Sequence, residues 1–368
     1  MKGEGADHLP PARADETSPP RRGRRRPTTR QILRGVFFVA VAVGVFSLLP
    51  RLGGLTHDAA RLRHARPAFV VAAVVAQAVS LGCYALLYRR VLASLGARLS
   101  FRVALDVTMA SFLVSHVTPF GSATGTVLNV STLENEGIAA STTGEAIGLT
   151  SLVSSVALIA LFGTGFVATA GRHLSASYLR IAVIALSLIV LVLALAFLVA
   201  AHPGIAERLA RRVAVMARRF KRSIDPEKVA QSSKRMALLA RSALTGRAFA
   251  ESYGFASADL LFDLLSLDLM FLAVRYQPGF GPLTVAYAAA NIAAAIPVTP
   301  GGLGVIEVTL VAITVGFGAP RATAVLAVLG YRLVNYWLPL LPGGVAYLRL
   351  RLNLKKAGQG KSSGPPAG

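Results

Sequence analysis

Acidic side chains are scarce in this sequence. Asp and Glu number 17 against 39 Lys and Arg, a formal net charge of +22 over 368 residues. Charged residues of both signs make up only 15%, well under the roughly one quarter usual for soluble domains. Cysteine occurs once, as Cys83. That excludes an intramolecular disulfide and leaves no thiolate spacing for a metal; within an apolar run Cys83 reads as a small buried hydrophobe. A Walker phosphate loop, a zinc-ligand pattern and a nucleophile elbow are also missing. No metal and no cofactor is therefore implied, and energy from ATP would have to come through a partner.

What is present is apolar sequence. Hydrophobic residues reach 54% and the mean hydropathy is +0.58. Several runs attain the ~20 apolar residues that a membrane-crossing helix needs. The fold class read from this is all-α: a polytopic integral membrane protein. Full spans are expected at 31–49, 68–88, 143–170, 179–201, 248–275 and 320–349. Basic residues fall in tails and loops beside these spans, so the positive charge reads as inside-facing loops attracted to anionic membrane lipids, not as a nucleic-acid surface. Residues 1–30, with "SPPRRGRRRPTTR", read as a disordered basic cytoplasmic tail, and 351–368 as a disordered C-terminal tail. Both termini are then cytoplasmic, in a multi-pass protein of the cell membrane.

The loop 202–247 holds twelve Lys/Arg against three acids, which places it in the cytoplasm. Within it Ile205, Leu209, Val213, Met216 and Phe220 recur at helical spacing, with Arg208, Arg211, Arg212, Arg218 and Arg219 between them. This is a basic amphipathic helix, lying either on the inner leaflet or on the protein's own base.

Two apolar stretches, 103–131 and 282–318, are interrupted by "HVTPFGSATG" and "IPVTPGGLGVIE". Their halves are mostly too short to span, so each reads as a re-entrant hairpin or a discontinuous helix, allowed only where protein or a cavity satisfies the broken backbone. Shifted by 181 residues, the second half lies over the first without gaps. Val117-Thr118-Pro119 meets Val298-Thr299-Pro300, Gly121 meets Gly302, Gly137 meets Gly318 and Gly163 meets Gly344. The repeat halves are about 68–168 and 249–349. Three expected spans separate the hairpins, which would make the repeat inverted. In transporters, paired interrupted segments of this kind point to a binding site near the midplane, where helix N-termini can receive an anionic group.

"PVTPGGLGVIE" followed by "LGYRLVNYWLPLLPGG" resembles the transmembrane region of lysylphosphatidylglycerol synthases, a flippase-like domain also found as stand-alone proteins. The resemblance covers about 30–355. Its specific part is Pro300-Gly301-Gly302, Gly304 and Glu307, then Tyr331-Arg332 and Trp337-x-Pro339. It implies movement of a modified anionic lipid between leaflets, with the soluble synthase domain absent. The first motif departs from the family pattern: "TPFGSATGTVLN" and "TTGEAIGLTSLVSS" stand where many members carry Gly-Glu with an Arg, then an acidic/basic pair.

Ionisable residues inside spans are costly and face a cavity or a partner. Arg332 is expected either to bind a lipid phosphate or to pair with Glu307 or Asp263. Glu307 opens the half-helix after the second break, where a carboxylate also suits the helix dipole. Asn335 lies one turn from Arg332 on the same face. Asp259 and Asp263, four apart, share a face and could share a proton; His116 is a further proton-coupling candidate. The expected substrate site therefore comprises Arg332, Asn335, Glu307, Thr118, Pro119, Gly121, Thr299, Pro300, Gly301, Gly302 and Gly304, in a flippase-like protein that is not an enzyme. Two other readings stand beside it. One is a membrane-embedded lipid-modifying transferase; the other is a subunit that recruits a cytoplasmic lipid-modifying enzyme.

Overall fold

The computed structural model describes residues 66–118, 121–170, 202–218, 225–243, 246–295 and 299–360. The expected tail 1–30 and spans 31–49 and 179–201 lie outside these residues, as do Pro119 and Phe220.

Among the described residues the regular secondary structure is all helix, with no strand. The first half holds α1 (Pro67–Ser94), α2 (Phe101–Val117), α3 (Gly121–Asn135) and α4 (Ala140–Ala170). Two amphipathic helices follow, α5 (Pro203–Arg218) and α6 (Pro226–Ala243). The second half holds α7 (Gly246–Ala273), α8 (Phe280–Ala294), α9 (Val305–Gly316), α10 (Arg321–Arg332) and α11 (Leu340–Gly360). Their ends follow from local chemistry. Pro67 occupies the first turn of α1, where its missing N–H costs nothing. The Ser100 hydroxyl caps α2 by accepting from the Val103 N–H at 3.3 Å. Gly137 and Gly318 take φ of +80° and +98° between α3 and α4 and between α9 and α10. These two glycines are one of the pairs that the 181-residue shift superposes.

The shift carries every helix of the first half onto the second. Residues 67–94 land on α7, 101–117 on α8, 121–135 on α9, and 140–170 on α10 and α11. The packing obeys the same correspondence. The equivalent helices α1 and α7 lie against each other, while α2 packs on α11 and its counterpart α8 packs on α4. Each half thus lends an element to the other. Ala346 and Leu350 of α11 complete the core around Leu87, Leu92, Val107 and Leu149, and Leu161 of α4 joins the core of Leu267, Phe271, Leu283 and Tyr287.

Among the described residues three helices are long and apolar enough to cross a membrane: Pro67–Ser94, Ala140–Thr169 and the stretch Arg321–Asn353. The outer surface of the bundle keeps large apolar side chains exposed, among them Val71, Val127, Val167, Val308 and Leu341, as lipid contact requires. α7 is equally long but carries Asp259, Asp263 and Asp268.

Two details differ from the expectations. The span 320–349 is found, within Arg321–Asn353, but it carries a local irregularity: Leu333–Trp337 forms a π turn in which the Leu338 N–H reaches back to the Leu333 carbonyl at 2.9 Å. The cause is Pro339. A proline in regular α-helix strikes the carbonyl four residues earlier, and the wider turn makes room. Second, residues 351–360 continue α11 and are no disordered tail; "RLNLKKAGQG" is led by good helix formers and holds no proline.

α5 and α6 pack on each other, with Ala214 and Ala230 buried and Lys234 bound to Glu207 at 3.0 Å. Arg235 on α6 meets Glu145 near the start of α4 at 2.6 Å, docking the pair to the bundle. Ile205, Leu209, Val213 and Met216 stay exposed.

Candidate functional site

The second break is a short 3-10 turn, Pro300–Gly302, between α8 and α9. Gly301, Gly302 and Gly304 take φ of +60°, +66° and +85°, which side chains other than glycine resist. At Gly301 a Cβ would also run into the rings of Tyr336 and His116. The Thr299 hydroxyl spans the turn to the Leu303 carbonyl at 2.7 Å.

Arg332 holds this turn. Its Nε donates to Glu307 Oε1 at 2.7 Å, its Nη2 donates to the Gly301 carbonyl at 3.1 Å, and its guanidinium lies over the Tyr336 ring at 4.7 Å. Glu307 uses its other oxygen to accept from the Gly304 N–H at 2.7 Å, capping α9. The two side chains are 2% and 1% exposed. At that burial neither charge survives without the other. Of the partners open to Arg332 in the sequence, Glu307 is the one it takes. Arg332 and Glu307 are thus spent on the backbone of the break and do not line the cavity described next.

That cavity has a volume of about 420 Å³ and lies between the two halves. α1 contributes Gln77, Ser80, Tyr84 and Tyr88. α2 contributes Thr108, Ser111, Ser115 and His116. α3 and α4 add Asn129 and Thr150, α7 adds Asp259 and Asp263, and the π turn adds Asn335. Asn335 connects bracket and cavity: its Oδ1 accepts a long bond from Arg332 at 3.4 Å, and its Nδ2 donates to Asp263 Oδ1 at 2.7 Å.

Asp259 and Asp263 share a face, as their spacing predicts, but differ in partners. Asp263 accepts from the Tyr287 hydroxyl at 2.8 Å, the Tyr331 hydroxyl at 3.1 Å and Asn335. Asp259 accepts from the Ser80 hydroxyl at 2.6 Å. His116 stacks on Phe112 and donates from Nδ1 to the Phe112 carbonyl at 2.8 Å, so that nitrogen carries the proton. Its own carbonyl accepts from the Tyr336 hydroxyl at 3.1 Å. The ends of the two broken hairpins therefore meet at His116, Tyr336 and Gly301.

The sequence-predicted residues divide accordingly. Asn335, Asp259, Asp263 and His116 reach the cavity. Gly301, Gly302, Gly304, Thr299 and Pro300 form the turn behind it, and Arg332 with Glu307 fixes that turn. Thr118 ends α2, its hydroxyl turned back to the Val114 carbonyl at 2.6 Å, and Gly121 opens α3. Sequence reasoning missed Gln77, Ser80, Tyr84, Tyr88, Asn129 and Thr150. A signal existed: Gln77, Ser80, Tyr84 and Tyr88 recur at intervals of 3, 4 and 4, a polar stripe down an otherwise apolar span.

A helical membrane protein with two repeated halves and a polar cavity at their interface is the class that this fold and site define. The chain belongs to the family of the lysylphosphatidylglycerol synthase TM region, whose model matches residues 32–343. Similar proteins include a UPF0104 membrane protein of Pyrococcus horikoshii, 33% identical over 89 residues (24% of this chain, 27% of the relative). A UPF0104 membrane protein of Methanocaldococcus jannaschii is 28% identical over 96 residues (26% and 29%). The inner membrane protein YbhN of Escherichia coli is 36% identical over 66 residues (18% and 21%). The chain thus aligns with less than a third of the length of each of these relatives.

Proposed function

We propose that the chain moves a membrane lipid between leaflets, its headgroup passing through the cavity between the two halves while the acyl chains stay in the bilayer. One observation carries this reading: a cavity of headgroup size inside an apolar bundle, lined by many polar side chains drawn from both repeats. Water-accessible polar groups among spanning helices are costly and mark a transport path. The α1–α7 contact, between equivalent helices, supplies the surface on which the halves would rock to alternate access.

The wall also bears on the headgroup. Its carboxylates are Asp259 and Asp263, and no Lys or Arg stands among the described lining residues. A bare phosphate would meet neither a Lys nor an Arg there. Headgroups that present N–H or O–H donors fit better, with the phosphate held toward the cavity mouth.

The cytoplasmic hairpin fits an inner-leaflet position. The exposed stripe of α5 lies opposite buried Ala214, so it faces away from α6. Arg208 and Arg212 border it, the arrangement that binds anionic lipid surfaces.

The test is leaflet translocation in proteoliposomes that carry labelled phosphatidylglycerol, aminoacylated phosphatidylglycerol or a polyprenyl phosphate. Movement of one of them above empty liposomes, slowed at least tenfold by Asp263→Asn, is expected. No movement of any lipid refutes the reading, and a chemically altered lipid in the same vesicles would favour a transferase.

A further inference from the structure

Three helices, α1, α4 and α7, line the cavity together and bring to it oxygen atoms with acceptor capacity to spare. Gln77 and Ser80, three apart, share a face of α1. Gln77 is 3% exposed and its carbonyl Oε1 has no hydrogen-bond partner; Thr150 on α4 is 1% exposed and its Oγ1 has none. Both line the same cavity as Asp259. Buried polar atoms without partners are rare and call for an explanation. Asp259 is itself undersupplied, since a carboxylate offers about four lone-pair sites and, among the described residues, the Ser80 hydroxyl is its one hydrogen-bond donor. Asp263, one turn away, shows the contrast, with three donors from Tyr287, Tyr331 and Asn335.

We propose that Asp259, Gln77 and Thr150 form a cation subsite in the cavity, with Ser80 holding the Asp259 carboxylate in place. The ligand class follows from the inventory. A carboxylate, an amide carbonyl and a hydroxyl oxygen complement a positively charged centre, either a small monovalent metal ion or an ammonium group. The titratable groups that share the cavity wall with it are Asp263 and His116; Arg332 is engaged by Glu307 behind the wall. The subsite deepens the lipid-transport reading and rests on it for its biological meaning: the cation is either a coupling ion or the amine of a headgroup.

The experiment uses the full chain, purified in detergent, with thermal unfolding followed at constant ionic strength. Sodium chloride and ethanolammonium chloride are titrated against N-methylglucamine chloride, with glycerol as the uncharged donor. Saturable stabilisation by sodium or by ethanolammonium is expected. Sodium alone identifies a metal ion, and ethanolammonium alone identifies a headgroup amine. The apparent affinity should fall at least about tenfold in Asp259→Asn, the scale of a lost charge-assisted contact. It should fall several-fold in Gln77→Leu and in Thr150→Val, which keep shape and remove the acceptor. Glu227→Gln on α6 serves as the folded control. Stabilisation by glycerol but by neither cation overturns the proposal. So does an absence of any response, or an unchanged affinity in Asp259→Asn. Translocation without cation binding would leave the lipid-transport reading standing and remove the subsite; cation binding without translocation of any lipid would do the reverse.

Discussion

Replacing Arg332 by methionine keeps most of the volume and removes the charge. The wild-type guanidinium meets Glu307 at 2.7 Å and the Gly301 carbonyl at 3.1 Å, in a pair of which neither member is more than 2% exposed. Removing one partner of such a pair leaves an uncompensated buried charge, at a cost of about 3–5 kcal/mol. The Gly301 carbonyl loses its donor as well, for about 1 kcal/mol more. The transition in detergent should therefore fall by on the order of 10 °C. Glu307→Met should cost a similar amount, because it strands Arg332 and uncaps α9. The double variant buries no lone charge, so it should be clearly more stable than the two single losses summed. Thermal unfolding of the four proteins supplies the full cycle. Variants that remain folded should keep wild-type affinity for a cavity ligand to within about threefold, since Arg332 touches the break and not the cavity. An Arg332→Met protein that unfolds within about 1 kcal/mol of wild type would refute the reasoning, because a buried pair cannot be broken so cheaply.

Gly301→Ala should destabilise by more than the roughly 1–2 kcal/mol of a left-handed backbone, because the new Cβ also meets Tyr336 and His116. Gly304→Ala, at φ +85° with open space around it, should cost the backbone term alone; equal unfolding of the two would dissolve that distinction. A polarity-sensitive dye on Val213→Cys, in a Cys83→Ala background, should shift to the blue when nanodiscs contain phosphatidylglycerol and lose part of the shift in high salt. No dependence on anionic lipid would detach α5 from the membrane surface. Arg235→Ala removes the tie to Glu145 and should speed amide exchange throughout α6, read by mass spectrometry. The Lys234 ammonium, hydrogen-bonded to Glu207, holds that carboxyl below its usual range, with Arg211 and Arg208 adding to the effect. A depressed carboxylate stabilises above its unfolded pKa and loses that contribution as pH falls through the folded one. The α5–α6 contact should therefore loosen only on acidification below the normal glutamate range, and Lys234→Ala should move that loosening to higher pH.

The repeat was legible because its punctuation is covalent. Gly137 and Gly318 take positive φ, and Pro300 stands at a break between helices. Three of the expected spans, 68–88, 143–170 and 320–349, were legible for a related reason, since apolar length decides whether a helix can reach across. Three-dimensional choice was not legible. Arg332 had Glu307 and Asp263 as candidate acids, 25 and 69 positions away, and composition does not rank them; the close approach of α9 to α10 does. The cavity wall stayed hidden because Gln77, Ser80 and Thr150 are uncharged, and a lone polar residue in an apolar helix ordinarily satisfies itself on its own backbone, as Thr314 does with the Leu310 carbonyl. The π turn was equally silent, although Pro339 announced that some irregularity had to precede it.

The reciprocal packing of the halves has a consequence for biosynthesis. α2 rests on α11, some 220 residues later in the chain, and α4 rests on α8. Neither repeat can complete its interior while the ribosome is still making the other. The first half must wait in the bilayer with its partner surfaces uncovered until α11 is inserted, and contacts so distant along the chain form slowly. Loss of α11 would therefore strand α2, an element made long before it, and a shortened chain would be unfinished at both ends at once.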